Sequence, residues 1–285
     1  MRSITFAVCA GFGAAALLAA PAFASEKREE QKFAYFQASN IFHAGLRGTH
    51  TVALTFDDGP GVNTPAVLDA LKSNDVRATF FIVGKMARTH PELLAEISAD
   101  GHLLANHSAT HPRLTRKRYS RHPELLLDQI REVNDLIATY MKPGDKLFFR
   151  APYGSWRSRH AAVLNADPVL KYYVGPIYWD AGGQTYVDRD GYVITSADWD
   201  CWHRGWSAET CAKGYLREIA RKDGGVVLMH CINGKSAELV EAVVPELIGQ
   251  GYKFVRLDQI KEYEQYETPV GPPQPVIAMQ LPVRD

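Results

Sequence analysis

The chain has 285 residues, and its 32 basic side chains are balanced by 32 acidic ones. That balance supplies no cationic surplus of the kind nucleic acid requires. The length is enough for one large α/β domain with a proper core.

The N-terminus comes first. Arg2 precedes an apolar run from Ile4 to Ala20, and "PAFA" precedes Ser25. A charged start, a hydrophobic segment and a small-residue cleavage site predict a secretory signal peptide over residues 1–24, removed after Ala24. The run is Ala- and Gly-rich and falls short of the ~20 strongly apolar residues of a membrane span. No later segment is long enough to cross a bilayer. The expectation is an exported protein, periplasmic or secreted, with no integral span after cleavage. Residues 25–50 form a polar lead-in without a clear element.

From Thr51 onward, short β-rich runs alternate with amphipathic stretches. "VALTF", "ATFFIV", "HLLAN", "LFFRAP", "VVLMH" and "KFVRL" read as largely buried strands. Between them lie five helix candidates. "NTPAVLDALKSN" is capped by Asn63 or Thr64 with Pro65 in the first turn, and "PELLAEISADG" ends on glycine. "PELLLDQIREVNDLIATYM" is the longest, "SAETCAKGYLREIARKDGG" starts on a serine cap, and "SAELVEAVVPELIGQG" again ends on glycine. Regular alternation implies parallel strands with crossover helices. The predicted fold is therefore α/β, a distorted and possibly incomplete (β/α) barrel over residues 51–262.

Two regions break the rhythm. Between Ser155 and Trp199 glycines and aromatics accumulate with no clear helix after Tyr172, which reads as strands with a hairpin-like insertion. Residues 263–285 form a proline-rich tail expected to be extended or disordered. Of the four cysteines, Cys9 leaves with the signal, so Cys201, Cys211 and Cys231 meet an oxidising compartment and one thiol is left over. Cys201 and Cys211 bracket a short polar loop that a disulfide closes easily, and they are the preferred pair. Cys231 remains a competitor for either. No Cys-x-x-Cys spacing supports a cysteine zinc cluster.

Functional groups of a parallel α/β domain collect where its strands end. The first strand ends on Asp57 and Asp58, a later one at "NHSATH" with His107 and His111, another at "RAPYG" with Arg150 and Tyr153, and a late one at "VVLMH" with His230. Asp, Gly and Pro are ordinary turn residues, but four strand ends delivering carboxylate, imidazole and guanidinium to one face exceed turn chemistry. His107 and His111, spaced i, i+4, make with one carboxylate a metal site that leaves positions for water and substrate.

TFDDGP, H-S-x-x-H, R-x-P-Y-G, D-W and L-x-H, in that order, resemble the polysaccharide deacetylase family, the NodB-homology domain of carbohydrate esterases, over about Thr51 to Ile260. The resemblance implies a distorted (β/α) barrel that removes acetyl groups from N-acetylated sugars with a divalent metal, usually Zn2+. Carried over by position, it implies Asp58, His107 and His111 as metal ligands, Asp57 as general base and Arg150 as its partner. It implies His230 as general acid tuned by Asp198, the Tyr153 backbone N–H as oxyanion donor, Trp199 and Leu228 as walls of the acetyl pocket, and Ser108 as a brace for the metal loop. The fourth motif departs from the family pattern, which often has an aspartate two residues before Ala197 where this chain has Thr195. Asp200 lies close by, so the partner of His230 is left open between two aspartates.

The chemistry supports those roles independently. An amide carbonyl needs a Lewis acid on its oxygen and a water made nucleophilic near neutral pH. A base takes the water's proton, an acid protonates the departing amine, and preorganised donors hold the oxyanion. An aspartate beside His230 raises its pKa and keeps it protonated. Arg150 taken alone reads equally as a structural ion pair, and Trp199 as core packing. His43, His50, His90, His102, His122, His160 and His203 have no motif around them and read as structural or surface residues.

Two other protein classes share parts of this pattern. An iron-dependent oxygenase shares the two-histidine, one-carboxylate set, but its usual scaffold is a β-sandwich without alternating helices. A catalytically dead sugar-binding module would lack Asp57 or His230, and both are present. The resemblance implies an N-acetylated polysaccharide or oligosaccharide as substrate. Peptidoglycan is the first expectation for an exported bacterial enzyme; chitin oligomers, poly-N-acetylglucosamine and acetylated xylan are the alternatives, which the motifs do not separate.

Overall fold

The computed structural model describes residues 45–266. In chain order these form β1 (Thr51–Asp57), α1 (Thr64–Lys72), β2 (Thr79–Ile82), α2 (Gly84–Thr89), α3 (Pro91–Ala99), β3 (Leu103–Asn106), α4 (Lys117–Arg121) and α5 (Pro123–Ala138). There follow α6 (Ser158–Asn165), β4 (Tyr186–Val187), β5 (Val193–Thr195), α7 (Asp198–His203), α8 (Ala208–Lys222), β6 (Gly224–His230), α9 (Ser236–Gly249) and β7 (Lys253–Phe254). The predicted signal peptide and most of the proline-rich tail lie outside the described residues. Among the described residues no helix is long and apolar enough to cross a membrane.

The main sheet is parallel throughout, in the order β3-β2-β1-β6, with β7 also pairing β1. β6 runs along the whole of β1, from Thr51 opposite Gly224 to Asp57 opposite His230. β7 and β2 therefore share the other edge of β1, β7 at Thr51 and Val52, β2 at Thr55 and Phe56. Single bridges extend the sheet past β3, from Asn106 to Phe149 and from Phe148 to Val174, and past β6, from Val227 to Ala181. The barrel is thus incomplete, with no ladder closing it among the described residues. "LFFRAP" is reduced to those isolated bridges and "KFVRL" to two residues, because neither run finds a continuous partner strand.

The strands are buried on both faces, as parallel strands under crossover helices are. Alternate residues serve different sides. Val52, Leu54 and Phe56 pack with Phe80, Ile82 and Leu104 into the large cluster under the helices, with Val67, Ile130 and Val243. Ala53 faces inward with Phe81, Ala105, Phe148, Val174, Val226 and Tyr263. Thr55 and Asp57 continue that inward row above this apolar floor. Tyr263 and Tyr266, at the start of the predicted tail, are buried in the same floor.

The hairpin-like insertion is present as β4 and β5, paired antiparallel. Its sequence continues into α7, a helix that the sequence pattern does not reveal. A disulfide joins Cys201 in α7 to Cys211 in α8, with the Cα atoms 5.8 Å apart, and Cys231 is a buried free thiol. The preferred pairing is the one found, and it ties α7 to a fifteen-residue helix. Ser207 caps α8 as expected, its side chain accepting from the Thr210 N–H. Asn63 precedes α1 without a side-chain cap bond, its amide donating instead to Ile232 O at 2.7 Å.

Candidate active site

Asp57 ends β1 on the inward face, and the buried Arg150 meets it there. The Arg150 Nη1 donates to Asp57 Oδ1 at 2.7 Å and to Thr55 Oγ1 at 2.8 Å, while its Nε donates to Ile177 O at 3.1 Å. Phe81 lies under the guanidinium, 4.1 Å from its ring centroid. Burial pulls the guanidinium below its ordinary pKa, opposed by the charge and hydrogen bond of Asp57. A charge with no water must be held by an anion and by acceptors; here both are supplied. Asp57 Oδ1 is thereby occupied, and Oδ2 lies 3.5 Å from His107 Nε2.

Asp58 would point away from Asp57 on a regular strand, but the chain turns at it with φ of 71°. Ser108 (φ 70°), His111 (φ 54°) and Tyr153 (φ 56°) also adopt the left-handed region, which non-glycine residues enter at a cost. Among the described residues, four of the seven non-glycine residues with positive φ lie on loops at these strand ends. Asp58 Oδ1 lies 3.1 Å from His111 Nε2 and 3.5 Å from His107 Nε2, yet is buried without a hydrogen bond of proper geometry. Burial works to raise its pKa, but the two histidines hold it well below the ordinary carboxylate range.

The imidazoles are oriented from behind. His107 Nδ1 lies 2.8 Å from Arg150 O, and a carbonyl only accepts, so Nδ1 carries the proton and Nε2 offers a lone pair. The loop that carries His111 is held by its backbone: the His111 backbone N–H donates to Ser108 Oγ at 3.2 Å, and the Ser108 backbone N–H to Asn106 Oδ1 at 3.0 Å. Asn106 is fixed in turn by donating to Ile130 O. One donor atom each from Asp58, His107 and His111 lies within 4.8 Å of the others. An orphaned carboxylate oxygen facing two imidazole nitrogens is the donor set of a divalent metal, and these residues fit one.

Across the cleft stands His230, at the end of β6. Its Nδ1 lies 2.7 Å from Asp198 Oδ1, and its backbone N–H donates to Asp198 Oδ2 at 2.6 Å. Asp198 is fully buried, receives the Trp199 N–H at 2.7 Å, and donates its own N–H to Tyr215 OH, which donates to Leu228 O. Burial disfavours the imidazolium, but the charge and hydrogen bond of Asp198 outweigh it, with Asp58 and Asp57 adding to the effect, and the pKa is pushed up to about 10. Asp200 pairs with Arg204 instead, so the open choice between the two aspartates falls to Asp198. His230 Nε2 is 3.9 Å from Asp58 Oδ2.

Asp57, Asp58, His107, His111, Tyr153, Trp199, Leu228 and His230 line one cavity of about 540 Å³, with Arg150 and Asp198 buried behind it. Tyr153 and Trp199 are more than half exposed at its mouth. Arg113, Ala151, Trp179 and Gly183 also line it. The sequence reading misses these four. Arg113 sits two residues past His111, but Trp179 and Gly183 lie in the irregular insertion, where no periodicity aims a side chain. Gly59 follows the carboxylates where an added Cβ would meet Cys231 Sγ at 2.4 Å. Burial pushes that thiol up to about 12 and keeps it protonated and inert.

Residues 45–169 match the model of the family described as polysaccharide deacetylase. The chain is 30% identical over 204 residues to a peptidoglycan-N-acetylglucosamine deacetylase of Bacillus cereus, covering 70% of this chain and 67% of the relative. It is 27% identical over 231 residues to the peptidoglycan-N-acetylmuramic acid deacetylase PdaA of Bacillus subtilis, covering 81% and 78%. The solved peptidoglycan deacetylase PdaC of Bacillus subtilis superposes with a TM-score of 0.56 at 26% identity, over 78% of this chain and 93% of that one. Full-length PdaC is longer, and the chain spans 39% of it.

Proposed function

This chain belongs to the polysaccharide deacetylase family, and we propose that it is a metal-dependent hydrolase that removes N-acetyl groups from peptidoglycan and releases acetate. The observation that carries the reading is the cleft itself: a two-histidine, one-carboxylate donor set flanked on one side by an Arg-paired carboxylate and on the other by a carboxylate-paired histidine. The substrate assignment draws on the named activities of the relatives.

Asp58, His107 and His111 would hold a divalent ion, for which Zn2+ suits the ligand set. Such an ion supplies a Lewis acid for the acetamide oxygen and a water acidic enough to react near neutral pH. Asp57 is assigned as general base: Arg150 occupies Oδ1, fixes the carboxylate plane and leaves Oδ2 to take a proton. The Tyr153 backbone N–H is assigned to the developing oxyanion. His230 is assigned as general acid, since its Nδ1–H is spent on Asp198 and the proton on Nε2 faces the cleft, available to the departing amine. Trp199 and Leu228 wall the acetyl group. The signal-type N-terminus and the Cys201–Cys211 disulfide support export to an oxidising compartment, and residues 51–262 are assigned as the catalytic domain.

Mass spectrometry of purified peptidoglycan, chitin oligomers and acetylxylan after incubation with the zinc-loaded protein tests the reading. Acetate release from peptidoglycan, abolished by chelation and restored by zinc, is expected. Acetate from acetylxylan alone would contradict the N-acetyl assignment, and no release from any of them would contradict the function.

A further inference from the structure

A second cavity, of about 370 Å³, is lined by Thr115, Lys117, Ser120, Arg121, Arg157 and Arg159: four cations, two hydroxyls and no acid. Five of the nine residues from Arg113 to Arg121 are basic, in a chain whose charges cancel overall. Among the described residues no carboxylate pairs with any of these four cations. Glu124 pairs with His122 and Asp167 with Arg131 instead. The local field is felt at the buried His160, whose pKa is pushed down to about 4, by burial first and then by Arg159 and Arg157.

This cavity is separated from the catalytic cleft by only a few residues of chain. Arg113 lies 4.2 Å over the Tyr153 ring, and both residues line the cleft. Thr115 follows Arg113 by two residues and Arg157 follows Tyr153 by four, and the two runs are joined where the Leu114 N–H donates to Ser155 Oγ at 2.9 Å. At roughly 3.5 Å per extended residue, the Cα atoms of Thr115 and Arg157 lie within about 7 Å of Arg113 and about 14 Å of Tyr153. The basic cavity thus opens close enough to the cleft for a polymer bound there to reach it if it extends to this side.

We propose that this basic cavity is an accessory substrate site that binds carboxylate groups of the stem peptides carried by the same glycan. The proposal rests on peptidoglycan being the substrate. Guanidinium forks match carboxylates, and although each exposed pair is weak, tethering to a bound glycan multiplies their effect. A neutral chitin oligomer has nothing to place there.

The test uses the zinc-loaded protein and the triple variant Arg121→Gln, Arg157→Gln, Arg159→Gln. For stem-bearing peptidoglycan fragments, KM should rise by roughly 10-fold with kcat unchanged, from a few-fold per lost charge. The difference should shrink in high salt, activity on chito-oligosaccharide should not change, and the corresponding triple lysine variant should recover most of the loss. Binding of already deacetylated stem-bearing fragments, measured by calorimetry, reads the site without turnover and should weaken by a similar factor. Equal fragment binding by wild type and glutamine variant overturns the proposal, as does an equal loss on both substrates. Tighter retention on phosphatidylglycerol vesicles than on the fragments, lost in the variant, overturns it in favour of a membrane surface. A wild type that binds fragments through these arginines yet releases no acetate supports the site and contradicts the proposed function instead.

Discussion

His107 and His230 face the same cleft from opposite walls, and their outward nitrogens differ because of what stands behind them. Behind His107 Nδ1 is a neutral carbonyl, Arg150 O; behind His230 Nδ1 is the carboxylate of Asp198. The first arrangement places the proton of the neutral ring on Nδ1, which leaves Nε2 as a lone-pair donor. The second favours the imidazolium, so Nε2 is a proton donor. In the proposed mechanism, the group behind each imidazole suits the first ring to hold a metal and the second to act as acid.

The comparison can be broken most severely on the acid wall. His230→Ala should lower turnover by roughly 100- to 10,000-fold, the scale of a lost general acid, measured as acetate release at saturating substrate. Removal of the disulfide in a Cys201→Ser, Cys211→Ser variant should cost about 2–3 kcal/mol for so short a loop, measured by denaturant unfolding. It should lower kcat by loosening α7 and with it Asp198, while leaving metal affinity on the other wall unchanged.

Asp198→Asn sharpens the comparison by making the two walls alike. Its carboxylate is the main influence raising His230 above its ordinary value of 6.5, so the alkaline limb of kcat should move toward that value, with a loss of roughly 10-fold at neutral pH. The sign holds for stability as well. A histidine with a raised folded pKa stabilises the fold fully below about 6.5 and loses that contribution as pH rises through about 10. Asp198→Asn should therefore flatten the decline of stability across that window. The smallest effect belongs to Ser108→Ala, which removes the acceptor of the His111 N–H and should weaken zinc binding by about 10-fold in a competition titration, as losses behind metal ligands do.

Much of this cleft is legible in the sequence because strand ends are. Asp57, His107 and His230 each lie at the end of a short β-rich run that reads as a buried strand, so their placement on one rim follows from the fold class. What stays hidden depends on backbone without periodicity. α7 spans six residues, Asp198–His203, too few to display a 3.6-residue pattern, and so the choice between Asp198 and Asp200 cannot be made from spacing. "LFFRAP" is as apolar as a strand, yet pairs only through single bridges, because strand propensity does not say whether a partner is available. Trp179 reaches the cleft from an irregular segment that the Ala181–Val227 bridge and the Asp180–Val226 hydrogen bond hold beside β6. The basic cavity joins residues 115–121 to residues 157–159, a proximity that charge runs alone do not encode.

The most direct test of the two-wall account is the metal content of His107→Ala and His230→Ala, purified in parallel with equal zinc loading and measured by atomic emission. The account predicts that His230→Ala keeps about one zinc per chain while releasing almost no acetate, and that His107→Ala loses its zinc. Zinc retained in His107→Ala and lost from His230→Ala would contradict it, and would move the metal to the opposite wall.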